Sequence, residues 1–103
     1  MEMDRTIVVL DALAQRTRLD VIELLLQHEP MGLSSGDVAR ALNIPQNTMS
    51  AHLSKLNQAG LVRAERQSRF VIYHANRNLL IESLSALVDH YRAVSKRPRS
   101  RVA

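Results

Sequence analysis

The hydrophobic spacing of this chain is helical up to Gly60, falls to a period near two after it, and turns helical again past Asn76. Helices, a two-strand run and one more helix leave few folds open. Turn signals divide the first stretch. Ile7, Leu10, Leu13 and Ala14 share one face of a first helix. Thr17-Arg-Leu-Asp20 has capping-box spacing and predicts Thr17 as the N-cap of a second helix, which packs Leu19, Ile22, Leu25 and Leu26 and stops before Pro30. Ser34-Ser-Gly-Asp37 offers another cap, for a short helix carrying Val38, Ala39 and Leu42. Asn43-Ile44-Pro45 is a tight turn, with Pro45 suited to the first position of the next helix. That helix runs to Ala59, with Gly60 as the C′ residue and Leu61 folding back in a Schellman-type stop. A short helix, a brief turn and a longer helix are helix-turn-helix anatomy.

Past Gly60, Leu61 to Glu65 and Arg69 to Ala75 contain Val62, Phe70, Val71, Ile72 and Tyr73, all strand-favouring. The link Arg66-Gln67-Ser68 has no Gly or Asn, which speaks against a two-residue type I′ turn and predicts a looser loop. Asn76 or Asn78 can cap a final helix. Along it Leu80, Leu84, Leu87, Tyr91 and Val94 recur at steps of four, three, four and three, a coiled-coil-like seam. Residues 1–95 read as one domain, mainly α with a small β-hairpin wing (α+β), and residues 96–103 as a disordered basic tail.

A chain of 103 residues buries roughly two-thirds of its extended surface, enough for one modest core. Its 14 basic and 10 acidic residues leave a net charge of +4, which favours a polyanionic partner. Arg92, Lys96, Arg97, Arg99 and Arg101 all follow the last acid, Asp89, and Arg63, Arg66 and Arg69 form a second basic group. The absence of cysteine excludes disulfides, thiolate metal sites, iron–sulfur clusters and cysteine nucleophiles. Only Phe70, Tyr73 and Tyr91 are aromatic, so there is no base-stacking platform for single strands. No apolar run nears the ~20 residues of a membrane span and no secretion signal opens the chain; a soluble, cytoplasmic, nucleoid-associated protein is expected. No nucleophile–base arrangement, phosphate-cradling glycine loop or carboxylate pair occurs, so neither catalysis nor a cofactor is expected.

At about 100° per residue, Met49, Leu53 and Leu56 form the buried stripe of the helix expected over 45–59. Opposite lie Asn47, Ala51, Ser54, Lys55 and Gln58, flanked by Thr48 and Ser50. Short neutral donors and acceptors with one cation suit a major groove, where amides and hydroxyls bond base edges and an alanine methyl meets thymine. Gln46 and Asn47 stand at the helix N-terminus, the end such helices turn to bases or phosphates. The bland alternative is a solvated face, although on a basic protein that more often carries Lys–Glu pairs. His52 falls on the boundary between stripe and surface, where a backbone hydrogen bond and a DNA contact are both open. Arg63, Arg66, Gln67, Ser68 and Arg69, on or near the hairpin tip, can enter a minor groove, clamp phosphates or simply be solvated. Lys96, Arg97, Arg99 and Arg101 are weaker candidates for DNA contact.

Leu13-Ala-Gln-Arg-Thr-Arg-Leu19, Gly36-Asp-Val-Ala-Arg-Ala-Leu42, Ser50-Ala-His-Leu-Ser-Lys-Leu56, Ala59-Gly-Leu-Val62 and Ile72-Tyr73 together resemble the ArsR/SmtB (arsenic-repressor) family of bacterial winged-helix transcriptional repressors. The resemblance covers nearly all of residues 4–94, and the string from Ser50 to Val62 is its most specific part. It implies a homodimer through the first and last helices, with Ile7, Leu10, Leu80, Leu84, Leu87, Tyr91 and Val94 at the interface rather than exposed or wholly in the protomer's own core. It also implies a near-palindromic duplex operator and release by an inducer.

The sequence departs from the family in three places. Gln15-Arg16 replaces the usual His-Pro, and Gln67-Ser68 stands where a wing glycine is common. The cysteines through which arsenic-, cadmium- and sulfur-responsive relatives sense are missing. A last-helix metal site would follow Asp-x-His with a later His-x-x-Glu, whereas Asp89 and His90 are adjacent, diverge by about 100° and have no later ligand, which makes them weak metal candidates. His28-Glu29 reads as a frayed helix end. The inducer is therefore unknown and not sensed through cysteine. The competing reading is a winged-helix protein-interaction or non-specific DNA-binding module with a basic tail, which predicts salt-sensitive, sequence-blind binding at most.

Overall fold

The computed structural model describes residues 1–95. Helices α1 (Met3–Leu13) and α2 (Arg16–Gln27) lead into a two-residue strand, β1 (Leu33–Ser34). Then follow α3 (Ser35–Leu42), α4 (Gln46–Gln58), the hairpin strands β2 (Val62–Gln67) and β3 (Phe70–Ala75), and α5 (Arg77–Ser95). This is the winged helix-turn-helix expected from the sequence, with α3 and α4 as the helix pair and β2–β3 as the wing. The expected tail, and with it Lys96, Arg97, Arg99 and Arg101, lies outside the described residues. Among the described residues no helix is long and apolar enough to cross a membrane.

Most helix ends follow the local chemistry. Ser34 caps α3, its Oγ accepting the Asp37 N–H at 3.1 Å. Gly60 takes φ +82°, with its N–H on the Asn57 carbonyl and the Leu61 N–H on the Leu56 carbonyl, both at 3.0 Å. That is the Schellman pair. Asn76 caps α5 by accepting the Leu79 N–H at 3.1 Å. The expected capping box at Thr17 does not form. Gln15, extended at φ −161°, is the N-cap of α2, and its Oε1 accepts the Arg18 N–H at 2.9 Å. Thr17 thus lies inside the helix, and Asp20 pairs with Arg16 at 3.3 Å. Pro45, with ψ 143°, is the N-cap of α4 and not its first helical residue.

The core gathers Val9, Leu13, Val21, Ile22, Leu25, Val38, Met49, Leu53, Leu56, Leu61, Val62 and Leu79. The first helix buries Thr6, Val9, Ala12 and Leu13, while Ile7 and Ala14 are exposed and Leu10 half-buried. The expected face is corrected because residues 7–10 are apolar all round, so packing against α5 and α2, not hydropathy, sets the rotation. Thr6 tolerates burial because its hydroxyl donates to the Glu2 carbonyl at 3.2 Å. In α2 Val21 is buried and Leu19 exposed, again a rotation of the expected face.

The sheet has the order β1-β3-β2 and is antiparallel throughout. Strand β1, not expected from sequence, pairs Leu33 with Tyr73 and Ser34 with Ile72. The hairpin also closes more tightly than expected. Gln67 pairs with Phe70, so Ser68 and Arg69 alone form the loop. Ser68 takes the left-handed φ of +58° and Arg69 does not, which excludes type I′ yet still makes a two-residue turn.

Candidate nucleic-acid interface

Met49, Leu53 and Leu56 are at most 1% exposed and hold α4 against the body of the protein. Each such side chain contributes roughly 1.5–3 kcal/mol by burial, so the outward face of α4 is fixed by its inward one. That face presents Asn47, Thr48, Ser50, Ala51, Ser54, Lys55 and Gln58 to solvent, as the periodicity predicts. These side chains are not equally available. Gln46 donates from Nε2 to the Ser35 hydroxyl at 2.9 Å and ties the start of α4 to the start of α3. The Ser50 hydroxyl donates back to the Gln46 carbonyl at 3.0 Å. Asn47, Thr48, Ser54 and Gln58 make no side-chain hydrogen bond or ion pair among the described residues. They are exposed polar groups that the fold itself leaves unpartnered.

One flank of α4 is fastened to the first two helices, which the sequence did not signal. Half-buried His52 makes no hydrogen bond to backbone among the described residues; its Nδ1 lies 3.5 Å from the Arg18 guanidinium. Arginine only donates, so in this contact Nδ1 is the acceptor. The same Arg18 donates from Nε to the Ala12 carbonyl, in the open last turn of α1. Lys55 Nζ lies 2.8 Å from Asp11 Oδ2. The hydrogen bond and charge of Lys55, with a smaller contribution from Arg18, hold the Asp11 carboxyl below the usual carboxylate range. Asp11 and Arg18 lie far from α4 in sequence, on elements with no spacing that links them to it.

In the wing, Arg63, Arg66, Gln67, Ser68 and Arg69 are all exposed. Register places Arg63, Glu65 and Gln67 on one face with His74, Ile72 and Phe70, and Arg66 on the other with Val71. Arg63 pairs with Glu65 at 3.2 Å, and the Arg69 guanidinium sits 5.9 Å from the Phe70 ring centre. Arg66 has no such partner among the described residues. The wing base is anchored by buried His74, whose Nδ1 lies 3.4 Å from the Glu29 carboxylate and whose Nε2 lies 3.1 Å from Glu65, the latter out of hydrogen-bond alignment.

Asp89 and His90 are both exposed, and His90 packs edge-on against Tyr91 with ring centres 5.2 Å apart. Among the described residues no group of three or more His, Asp or Glu side chains is placed to hold a metal ion. His28 bonds the Leu24 carbonyl at 2.9 Å, an ordinary helix end. Of the expected seam on α5, Leu84, Tyr91 and Val94 are exposed, while Leu87 is half-buried and Leu80 packs on the protomer's own core. Ile81 and Val88, 53% and 46% exposed, belong to the same outward row and were not expected there.

A helix-turn-helix domain family matches residues 13–65. The nodulation protein NolR of Rhizobium meliloti is 30% identical over 82 residues, 80% of this chain and 65% of that protein, so the chain spans just under two-thirds of NolR. The transcriptional repressor SdpR of Bacillus subtilis is 28% identical over 81 residues, 79% of this chain and 87% of SdpR. Among solved structures, HlyU from Vibrio cholerae is 32% identical with a TM-score of 0.67, covering 84% of this chain and 97% of that one. The homodimeric winged helix-turn-helix DNA-binding domain of Mb0332 from Mycobacterium bovis, a possible ArsR-family regulator, shares the fold at 24% identity and a TM-score of 0.71, covering 96% and 90%. With its stripe buried, its amides outward and a basic wing beside them, the chain belongs to the ArsR/SmtB family of winged helix-turn-helix transcriptional regulators, which are DNA-binding proteins and not enzymes.

Proposed function

We propose that this protein is a cytoplasmic homodimeric repressor that binds a near-palindromic operator in duplex DNA and is released by an inducer not sensed through cysteine. The observation that carries the reading is the set of uncommitted amides and hydroxyls at Asn47, Thr48, Ser54 and Gln58 above a wholly buried stripe. Two copies of α4 enter successive major grooves about 34–36 Å apart. Arg66 and Arg69 neutralise flanking phosphates or enter a minor groove. The outward apolar row of Ile81, Leu84, Val88 and Tyr91, together with Ile7 on α1, favours a partner subunit over solvent. Repression follows from blocking polymerase, and release needs a ligand that prefers the DNA-incompetent dimer, since equal affinity shifts nothing.

The test is a titration at about 0.15 M salt comparing duplex DNA from upstream of the protein's own gene with a scrambled duplex. A preference of about 10³ or more establishes an operator. A preference near one indicates the interaction module or non-specific binder instead. With an operator in hand, Asn47→Ala is expected to cost about 1–3 kcal/mol and relax base preference, whereas Arg66→Ala weakens all sequences alike and flattens the salt slope by about one.

A further inference from the structure

We infer that Asp11 limits DNA affinity by occupying Lys55, so that docking exchanges the Asp11–Lys55 ion pair for a Lys55–phosphate contact. The inference rests on the DNA-binding reading above and concerns a residue outside both helix-turn-helix and wing. Lys55 and Asp11 are 2.8 Å apart, yet the two side chains are 45% and 66% exposed. A pair so open to water is held weakly enough to exchange. Lys55 lies within about 60° of the centre of the Asn47–Ala51–Gln58 stripe at 100° per residue, and its ammonium rides on a flexible four-carbon stem. It therefore needs only a change of side-chain rotamer to leave α1 for the DNA side. The pair is not required to seat α4, which Met49, Leu53 and Leu56 already anchor. The charge of Arg18 also acts on Asp11 and continues to do so when Lys55 departs. In the free protein the carboxylate thus takes the place a phosphate oxygen takes in the complex.

The experiment is a double-mutant cycle of Asp11→Asn, Lys55→Gln and both together. Duplex binding is read by fluorescence anisotropy across a salt series, with thermal unfolding as a check on folding. Asp11→Asn is expected to tighten binding roughly two- to fivefold, and Lys55→Gln to weaken it and flatten the salt slope by about one. In the Lys55→Gln background, Asp11→Asn is expected to change nothing. Tightening of equal size in both backgrounds would mean that Asp11 merely repels DNA through space, and it overturns the exchange. An unchanged salt slope in Lys55→Gln overturns it too. A wild type that binds duplex while Asp11→Asn binds no better refutes this inference alone; a wild type that ignores duplex DNA even at low salt refutes the parent reading with it.

Discussion

Replacing Gly32 by alanine is expected to destabilise the fold by about 2–4 kcal/mol, and the structure supplies the parts of that figure. Gly32 has φ +72°, a left-handed backbone that costs an L-residue roughly 1–2 kcal/mol. A Cβ there would lie 2.6 Å from Ile72 Cγ2, 2.7 Å from the Tyr73 carbonyl oxygen and 2.8 Å from His74 Cε1. A side-chain rotation can move the first of these, but the carbonyl belongs to β3, which is paired on both edges. Overpacking of this kind adds about 1–3 kcal/mol, while the stiffer unfolded chain returns about 0.4–1 kcal/mol. The control is Gly36→Ala, inside α3, where the nearest atoms are side-chain ends of Arg40 and Gln46 at 3.5 and 3.7 Å. There alanine is expected to stabilise by about 0.4–1 kcal/mol. Far-UV circular dichroism in guanidinium is the assay, since the chain has no tryptophan. Protein concentration is held fixed because dimerisation would shift the midpoint. A Gly32→Ala midpoint indistinguishable from wild type, with Gly36→Ala showing its gain, would refute the claim that the segment before β1 is pressed against β3.

Three further outcomes are expected. Leu84→Asp should leave the protomer folded but weaken the dimer by at least about a hundredfold, two buried leucines being worth about 3–6 kcal/mol; a sedimentation profile matching wild type removes α5 from the interface. Ser34→Ala removes the α3 cap and should cost about 1 kcal/mol in chemical denaturation, with no loss meaning that solvent serves the Asp37 N–H equally well. Because the folded Asp11 carboxyl is held below its ordinary range by Lys55, its contribution is present above about pH 4 and is lost as pH falls through the depressed folded value. The stability difference between wild type and Asp11→Asn should therefore be flat from neutral pH down to about pH 4 and shrink below it; a difference that persists at lower pH contradicts the pairing.

What sequence could reveal depended on how far each interaction reached along the chain. The α4 stripe was legible because Met49, Leu53 and Leu56 repeat at helical spacing between polar neighbours, and that also placed the outward groups. The starts of α3 and α5 and the stop of α4 were legible because a cap acts over three or four residues. The first helix was not, since Ile7, Val8, Val9 and Leu10 are all apolar and only Val9 is fully buried. Strand β1 is too short to have a period, and Ser68 gives no sign of the left-handed backbone it adopts. Nor does anything local connect Asp11 to Lys55 or Arg18 to His52. Such pairs exist only once the helices have packed.

Ser34 belongs to two structures at once. Its backbone is a rung of the sheet, opposite Ile72, while its hydroxyl begins α3; the next residue, Ser35, receives the Gln46 side chain that starts α4. The wing and α4 therefore share a joint two residues wide. Beyond the Ile72 rung the hairpin is two-stranded only, so its outer half can twist while its base cannot turn without carrying α3 along. A tilt imposed at the base of the wing therefore reaches both helices of the pair through these two serines, whereas a tilt at its tip is absorbed in the free half of the hairpin.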